Sequence, residues 1–438
     1  SVGGAGFAAV IALLFTAGCR TIGDEDIELG AELPEGWSPS IAAVSSGGGT
    51  PEWRGPGRNG VLSNLELPAS RGPFAWMDRW RIRVGAGIAG VVCSGGQVYC
   101  HTWEKERGDV VRCVRAENGD PIWERVLESE PWHQPFEASH IALGPLSTPA
   151  LADDRIYVVS VQGVVTCLNS QSGEVVFQKG SRDLDSATSK FRYGHAASPL
   201  VRDGKLYVSF STGKGHFVAL DAKTGDLLWR SVGETVTYAS PAYATLDGQK
   251  QVIVRSWGFL RGLHPDDGSV LWEHAARGSG FTRDCGTPII VGNLIYITSE
   301  AHGTVALRIS RDGETWKAER VFRSGGLAGT TASPVFFEGH LYGLHRHGKF
   351  VCIDALTGKR KWIVREFGEH LSLFRVGGQA FALDETGRFV WLELDPARYR
   401  PKQRWSLGKY TWAQPAFEGA FVFVRDGEDL VCRDWRAD

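Results

Sequence analysis

One stretch of the sequence decides the fold: SPLVRDGKLYV at residues 198–208, followed by FVALDAKTGDLLW at residues 217–229. Short apolar runs alternate here with turn signals, which is the pattern of β-strands and not of helices. The turns at Asp203-Gly204 and Thr224-Gly225 suit tight antiparallel hairpins, because glycine adopts a positive φ without steric cost. The unit therefore predicts four antiparallel strands.

The unit recurs along the chain, and an aromatic residue that opens its fourth strand marks each copy. Six copies carry a tryptophan, one carries a phenylalanine, and one is less regular: Trp80, Trp123, Phe177, Trp229, Trp272, Trp316, Trp362 and Trp405. Four strands repeated at a period of roughly 40 to 55 residues are typical of a β-propeller. The eight anchors predict eight blades.

The two ends of the repeat predict how the ring closes. The last unit, residues 414–435, supplies three strands, whereas residues 80–84 supply a single strand before the first complete unit. Pairing the two completes the last blade and hides the remaining sheet edges. The sequence therefore predicts an all-β, eight-bladed propeller of four-stranded antiparallel blades, closed by an N-terminal strand.

The N-terminal region predicts export. The apolar run at residues 7–15 has the length of a signal peptide, and Thr16-Ala17-Gly18-Cys19 follows it. This segment resembles a bacterial lipoprotein signal with its lipobox, which implies lipidation of Cys19; a cleaved signal with an incidental cysteine is the alternative. We divide the chain into a signal peptide with lipobox at 1–19, a flexible tether at 20–52 and the propeller at 53–438.

Charge and cysteine positions narrow the function classes. Lys and Arg number 48 against 50 Asp and Glu, without a basic block, so nucleic-acid binding is not predicted.

Four cysteines share one position in the third strand of their blades, where other blades mostly carry Ala or Gly: Cys113, Cys167, Cys352 and Cys432. Because such sites in different blades lie too far apart to bridge, we predict four free, buried thiols.

Residues 199–229 and the segment CIDALTGKRKW at 352–362 resemble the pyrroloquinoline-quinone (PQQ)-like repeat, and WRGPGRNG at 53–60 resembles the segment that often precedes such repeats in exported bacterial members. The resemblance covers nearly all of 76–435. It implies one of two classes. Quinoprotein dehydrogenases bind PQQ and Ca²⁺ in the central funnel, whereas BamB-like lipoproteins help to assemble outer-membrane β-barrels without catalysis.

The sequence favours the second class. Neither an adjacent cysteine pair nor a Cys-x-x-Cys-His haem motif occurs, and no catalytic base is assigned. We predict a monomeric, non-catalytic binding or scaffold propeller, exported to the periplasm or cell surface and anchored in a membrane by lipid, with envelope proteins such as the outer-membrane assembly machinery as partners and no cofactor or metal. The alternatives are a PQQ-dependent alcohol or sugar dehydrogenase, with PQQ and Ca²⁺, and a secreted sensor propeller.

A candidate binding site follows from the topology. Residues just before each first strand converge on one mouth of the central channel, where they form a ring suited to a small polar ligand or a peptide; a mouth without a ligand is the alternative. In sequence order the ring contains His140, Tyr193, His195, Tyr238, Arg283, Asp284, Thr330, Thr331, His370, Tyr410 and Trp412.

Overall fold

The computed structural model describes residues 22–33, 48–63, 65, 67, 77–127, 144–180, 194–210, 216–232, 237–256, 258–276, 285–329 and 331–434. All of the regular secondary structure in these residues is β-strand. Within the same residues, no helix has the length and apolarity needed to cross a membrane.

The strands are short, as the turn spacing predicts. In chain order they are β1 (Ile27–Leu29), β2 (Met77–Arg83), β3 (Val92–Ser94), β4 (Gln97–Glu104), β5 (Gly108–Arg115), β6 (Pro121–Leu127), β7 (Ala150–Ala152), β8 (Arg155–Val159), β9 (Val165–Asn169), β10 (Val175–Lys179), β11 (Leu200–Arg202), β12 (Lys205–Phe210), β13 (His216–Asp221), β14 (Leu227–Val232), β15 (Ala242–Leu246), β16 (Gln249–Ser256), β17 (Gly258–Leu263), β18 (Val270–Ala276), β19 (Ile289–Val291), β20 (Leu294–Ser299), β21 (Gly303–Asp312), β22 (Thr315–Ser324), β23 (Val335–Phe337), β24 (His340–His345), β25 (Lys349–Asp354), β26 (Arg360–Arg365), β27 (Leu371–Val376), β28 (Gln379–Asp384), β29 (Arg388–Glu393), β30 (Arg400–Ser406), β31 (Ala416–Glu418), β32 (Phe421–Asp426) and β33 (Asp429–Asp434).

These strands form eight sheets arranged as blades around a ring. Blades 1 to 7 each take four consecutive strands, from β3–β6 in blade 1 to β27–β30 in blade 7, and blade 8 takes β31, β32, β33 and the N-terminal β2. A buried apolar cluster joins each pair of neighbouring blades. At the junction of blades 8 and 1, Trp80 and Phe423 pack with Val91 and Cys100. The predicted eight-bladed propeller, closed by an N-terminal strand, is confirmed.

Each blade carries a β-bulge in its outer strand, beside a position that is aromatic in seven of the eight blades. In blade 3, Ala219 pairs with Trp229 and the next residue, Leu220, pairs with Leu227, which leaves Leu228 without a partner in the ladder. A bulge of this kind increases the local twist of a strand. The repeated bulge defines the same register position, which we call the anchor position, in the outer strand of every blade.

Two of the predicted anchors are wrong. In blade 5 the residue opposite Ala306 is Phe322, because β21 and β22 extend for ten residues each and carry Trp316 away from the anchor position. In blade 7, Gln403 occupies the position opposite Trp391, whereas Trp405 pairs with Phe389. The anchor is defined by strand register, which residue spacing alone does not reveal.

The anchor tryptophans dock one blade on the next. Trp229 of blade 3 donates from Nε1 to the Pro265 carbonyl of blade 4 at 2.9 Å. Trp80 of blade 8 makes the same bond to the Ala116 carbonyl of blade 1 at 2.9 Å. The ring lies on a turn glycine of the following blade; at Gly119, a Cβ would approach the Trp80 indole to 2.8 Å. These tryptophans are therefore structural.

A second repeated feature, the Ser or Thr before the first-strand proline, links the blades around the channel. The hydroxyl of Ser198 accepts from the backbone N–H of Thr148 at 3.0 Å, and the hydroxyl of Ser240 accepts from that of Ser198 at 2.9 Å. The hydroxyl of Ser333 likewise accepts from the backbone N–H of Thr287 at 2.8 Å. These bonds join the innermost residues of successive blades.

The seven cysteines within the described residues are all free, which confirms the prediction for the four repeat cysteines. Each repeat cysteine faces an aromatic anchor across the ladder, as Cys352 does Trp362. Burial raises the pKa of both the Cys113 and the Cys352 thiol to about 12. A thiol in this environment is inert, because the nucleophile is the thiolate.

Thiol reactivity follows from this burial. Of the seven cysteines in the described part of the chain, we expect a thiol reagent at pH 8 to modify only the partly exposed Cys285 in the native protein, whereas denaturation without a reductant exposes the other six. Absorbance of the released chromophore measures both values. Titration of fewer thiols in the unfolded chain would indicate disulfides and contradict the assignment.

The predicted tether at 20–52 needs a correction where the structure describes it. Ile27–Leu29 pair with Phe322–Ser324 as a fifth strand on the outer edge of blade 5. Thr50 forms a bridge with Cys93 of blade 1. Residues 22–33 and 48–52 are therefore held on the propeller by backbone pairing and are not a free tether, while Cys19 and residues 34–47 lie outside the described residues.

Candidate functional site

The centre of the ring is crossed by residues 49–62, which we call the channel plug. Its contacts reach the innermost part of seven blades: Cys93, Leu151, Pro199, Thr287, Ser333, Arg375 and Phe417. Trp53 donates from Nε1 to the Thr287 hydroxyl at 2.8 Å, for example, and the backbone of Leu62 donates to the Arg375 carbonyl at 2.9 Å. A segment with such contacts lies on the ring axis.

Arg58 is the most deeply buried charge of the plug, with 1% of its surface exposed. Its guanidinium donates to the Pro199 carbonyl at 2.8 Å and to the Ser198 carbonyl at 3.0 Å, and lies 3.7 Å from the Glu52 carboxylate. Arg202 binds the same carboxylate and the Pro56 carbonyl. Because these charges are paired and hydrogen-bonded, the interactions offset the desolvation cost of burying them.

Burial and ion pairing oppose each other in the titration of this group. Burial raises the pKa of the Glu52 carboxyl, while Arg202 and Arg58 act to lower it. Burial lowers the pKa of Arg58 to about 10, against the opposing effect of Glu52. Arg58 therefore remains protonated at neutral pH and carries its positive charge into the plug.

Arg54 holds the opposite side of the plug. Its guanidinium donates to the carbonyls of Ser333 at 3.0 Å and Pro334 at 2.7 Å, and burial lowers its pKa to about 9. Arg54 thus binds blade 6 as Arg58 binds blade 3. Gly60 packs beside it at φ +77°, where a Cβ would lie 2.7 Å from the Arg54 guanidinium and 2.9 Å from the Leu373 carbonyl. The glycine in this motif is needed for this close approach.

The predicted mouth ring, at the start of the first strands, is only partly assembled. The His370 imidazole stacks on Trp412 with ring centres 4.6 Å apart, and its Nδ1 lies 3.2 Å from the Thr331 hydroxyl. Trp412 donates from Nε1 to the Tyr410 hydroxyl, and Tyr410 is 39% exposed. Blades 6, 7 and 8 thus form one aromatic shelf, made of Thr331, His370, Tyr410 and Trp412.

The other members of the ring do not join this shelf. His195 is 3% exposed and packs edge-on against Phe210 of its own blade, while Tyr238 is half-buried in blade 4. His140, Tyr193, Arg283, Asp284 and Thr330 lie outside the described residues. Four of the predicted ring residues thus lie together, while the ligand-binding role of the ring stays a prediction. The sequence did not predict the channel plug, for which the two arginines in a Gly- and Pro-rich motif were the available signal.

Two buried histidines of the mouth should make stability depend on pH. Burial lowers the pKa of both His195 and His370 to about 4, below the value of about 6.5 in an unfolded chain. The unfolded state therefore binds more protons between these values, so stability is complete above about pH 6.5 and falls as the pH drops towards 4. We expect a loss of about 2 kcal/mol per histidine at pH 5 relative to pH 8.

Urea unfolding at pH 8 and pH 5 measures this loss. In His370→Gln the difference between the two pH values should shrink by the contribution of one histidine, whereas His347→Gln, at an exposed position, should retain the wild-type difference. An unchanged difference in His370→Gln would contradict the assignment.

The described channel residues do not fit a Ca²⁺ site. Calcium needs six to eight oxygen ligands, with carboxylates among them. The axial carboxylate of Glu52 is bound by Arg58 and Arg202. No group of three or more His, Cys, Asp or Glu side chains able to hold a metal occurs among the residues that the structure describes.

These features define a PQQ-like propeller with its channel crossed by a plug and an aromatic shelf at one mouth. A family model described as outer membrane protein assembly factor BamB matches residues 106–364. Since this is more than half of the chain, the protein belongs to that family.

Curated relatives carry the same description. Outer membrane protein assembly factor BamB of Moranella endobia is 24% identical over 257 residues, which cover 55% of this chain and 63% of the relative. The Shewanella oneidensis protein of that name is 24% identical over 297 residues, covering 65% of this chain and 72% of the relative. The match thus spans less than two thirds of the Moranella relative.

Solved structures of both a BamB protein and a dehydrogenase share the fold of this chain. The crystal structure of BamB from Moraxella catarrhalis superposes with a TM-score of 0.60 at 15% identity, covering 82% of this chain and all of that one. A europium-containing methanol dehydrogenase superposes with a TM-score of 0.65 at 14% identity, covering 86% and 90%. At these identities the likeness extends to the fold alone.

Proposed function

We propose that this chain is a non-catalytic scaffold of the bacterial cell envelope that works with the machinery for outer-membrane protein assembly. Membership of the BamB family supports this function. The channel plug is the observation that argues against a dehydrogenase. Arg54 and Arg58 fill the centre of the ring, and their guanidinium groups are hydrogen-bonded to backbone carbonyls. A propeller with a filled channel is a rigid support, and its partners would bind to its outer surfaces and not inside the channel.

The aromatic shelf is the proposed contact for an envelope partner. Exposed aromatic side chains provide large apolar contact areas with a polar tip, and they recur in binding hot spots. Tyr410 is the exposed member of the shelf. Its hydroxyl accepts from the Trp412 indole, which is held in place by stacking with His370. We assign the shelf to a protein segment of the assembly machinery, presented by blades 6 to 8.

The same proposal places the chain in the envelope as a lipoprotein, with lipid on Cys19. The apolar run at 7–15 ahead of this cysteine supports export, as does the description of the relatives as outer-membrane assembly factors. Membrane fractionation of wild type and Cys19→Ala tests the anchor by itself.

Deletion of the gene in the source bacterium tests the function. We expect reduced amounts of folded outer-membrane β-barrel proteins, measured by their heat-modifiable electrophoretic mobility, and recovery on expression of the full chain. Tyr410→Ala should restore less than wild type, whereas Leu228→Ala, which removes a similarly exposed apolar side chain from blade 3, should restore fully. Unaltered β-barrel proteins in the deletion strain would contradict the proposal.

A further inference from the structure

Residues 22–33 form a strap that is fixed to blades 5 and 6. Ile22 is 3% exposed and donates its backbone N–H to the Ala301 carbonyl at 3.1 Å. β1 then pairs along β22, and Gly30 and Ala31 continue the bonding to Val321 and Arg320 at 2.7 Å each. The strap therefore begins at a defined point of the propeller.

Ion pairs hold the start of the strap. The Asp24 carboxylate lies 3.1 Å from Nε2 of the buried His345 and pairs with Arg346, whose guanidinium also binds the Ile22 carbonyl at 3.2 Å. Arg360 binds the Asp24 carbonyl at 3.2 Å and the Glu25 carboxylate at 2.7 Å. The acidic strap thus matches a basic edge of blade 6.

The fit of the strap is also steric. Gly325 lies so close to the Gly23 carbonyl that a Cβ at Gly325 would overlap it, and a Cβ at Gly30 would overlap the Arg320 carbonyl in the same way. Two backbone segments at this separation need glycine at the contact. A close backbone fit, together with the ion pairs, indicates a specific docked position.

The strap begins at the face that carries the channel mouth. In an antiparallel blade the first strand leaves this face and the second returns to it, so the turns between second and third strands lie there too. Ala301 lies in that turn of blade 5, between β20 and β21, and Arg346 lies in that turn of blade 6, between β24 and β25. Ile22 is therefore fixed at the mouth face, at the junction of blades 5 and 6.

We infer that the propeller lies with the mouth-face turns of blades 5 and 6 against a lipid surface. This inference rests on the proposed lipid on Cys19. Only Arg20 and Thr21 lie between Cys19 and Ile22, and three residue steps of chain span about 10 Å at most. The lipid holds Cys19 at the headgroup layer of the bilayer. Because the strap is docked from Ile22 onward, the chain between them is too short for the opposite face of the propeller to reach the membrane. The aromatic shelf of the same face then lies close to the membrane.

Lipid cross-linking tests this orientation on the full lipoprotein in phosphatidylethanolamine–phosphatidylglycerol vesicles. A photoreactive amino acid at His347, an exposed residue of the mouth-face turn of blade 6, should cross-link to lipid. The same amino acid at Glu314, exposed in the opposite turn of blade 5, should give several-fold less lipid adduct. Equal adducts at the two positions would overturn the inference.

Two variants separate this inference from the anchor itself. Insertion of about twelve Gly and Ser residues after Arg20 provides a flexible leash, which should equalise the two cross-links while the protein stays on the vesicles. Cys19→Ala should abolish vesicle association, and its failure to do so would contradict the anchor. Vesicle association with a preference for position 314 would retain the anchor and overturn the orientation.

Discussion

Replacing Arg58 by alanine is expected to lower the free energy of unfolding by about 3–5 kcal/mol. The substitution removes one of the two arginines that pair with the buried Glu52 carboxylate and leaves the Pro199 and Ser198 carbonyls without their guanidinium donor. Buried groups deprived of a partner lose their solvation without compensation. Denaturant unfolding followed by tryptophan fluorescence measures the change.

Two controls assign this loss to the geometry of the plug. Arg365→Ala removes an exposed arginine from the outer strand of blade 6 and should change stability by less than about 0.5 kcal/mol. Arg58→Lys keeps the charge but lacks the planar guanidinium that binds two carbonyls. Its loss of stability should therefore lie between those of Arg58→Ala and Arg365→Ala. A loss below about 1 kcal/mol in Arg58→Ala would show that the plug does not hold the ring.

Gly119→Ala is expected to destabilise the closing junction of the ring by about 3 kcal/mol, from overpacking added to an unfavourable backbone angle. Gly119 has φ +75°, and its Cβ would meet the Trp80 ring at 2.8 Å. Trp80 belongs to the N-terminal strand that completes blade 8. The added methyl group therefore presses on the strand that closes the ring.

Gly204→Ala separates the two causes. Gly204 has φ +72°, and open space surrounds the position of its Cβ, so this variant should lose only the backbone contribution of about 1 kcal/mol. Thermal unfolding of both variants against wild type gives the difference. Equal losses in the two variants would contradict the docking of Trp80 on blade 1.

The fold was predictable because its signals are local and repeated. Each turn is encoded by adjacent residues such as Asp203-Gly204, and overlaying the repeats exposed both the closing strand and the cysteine position. Prediction failed where register departs from residue spacing. The long hairpin of blade 5 displaced Trp316 from the anchor, and Phe322 took its place.

The plug and the strap were not predictable, because their partners are distant in the sequence. Arg54 binds Ser333 and Arg58 binds Pro199, so no local period records these contacts. The acidic composition around Asp24 suggested a solvated tether, whereas the basic partner Arg346 lies more than 300 residues further along the chain. Composition does not identify a complementary surface that only the closed ring assembles.

Titration of the purified protein with PQQ and Ca²⁺ tests the central claim, that this propeller is a scaffold with a plugged channel, most directly. Absorbance of the quinone reports binding, and reduction of an electron-accepting dye in the presence of alcohols or sugars reports turnover. We predict that the quinone spectrum stays that of the free compound and that no substrate-dependent dye reduction occurs. Stoichiometric binding accompanied by turnover would contradict the scaffold function and show that the plugged ring supports a catalytic site.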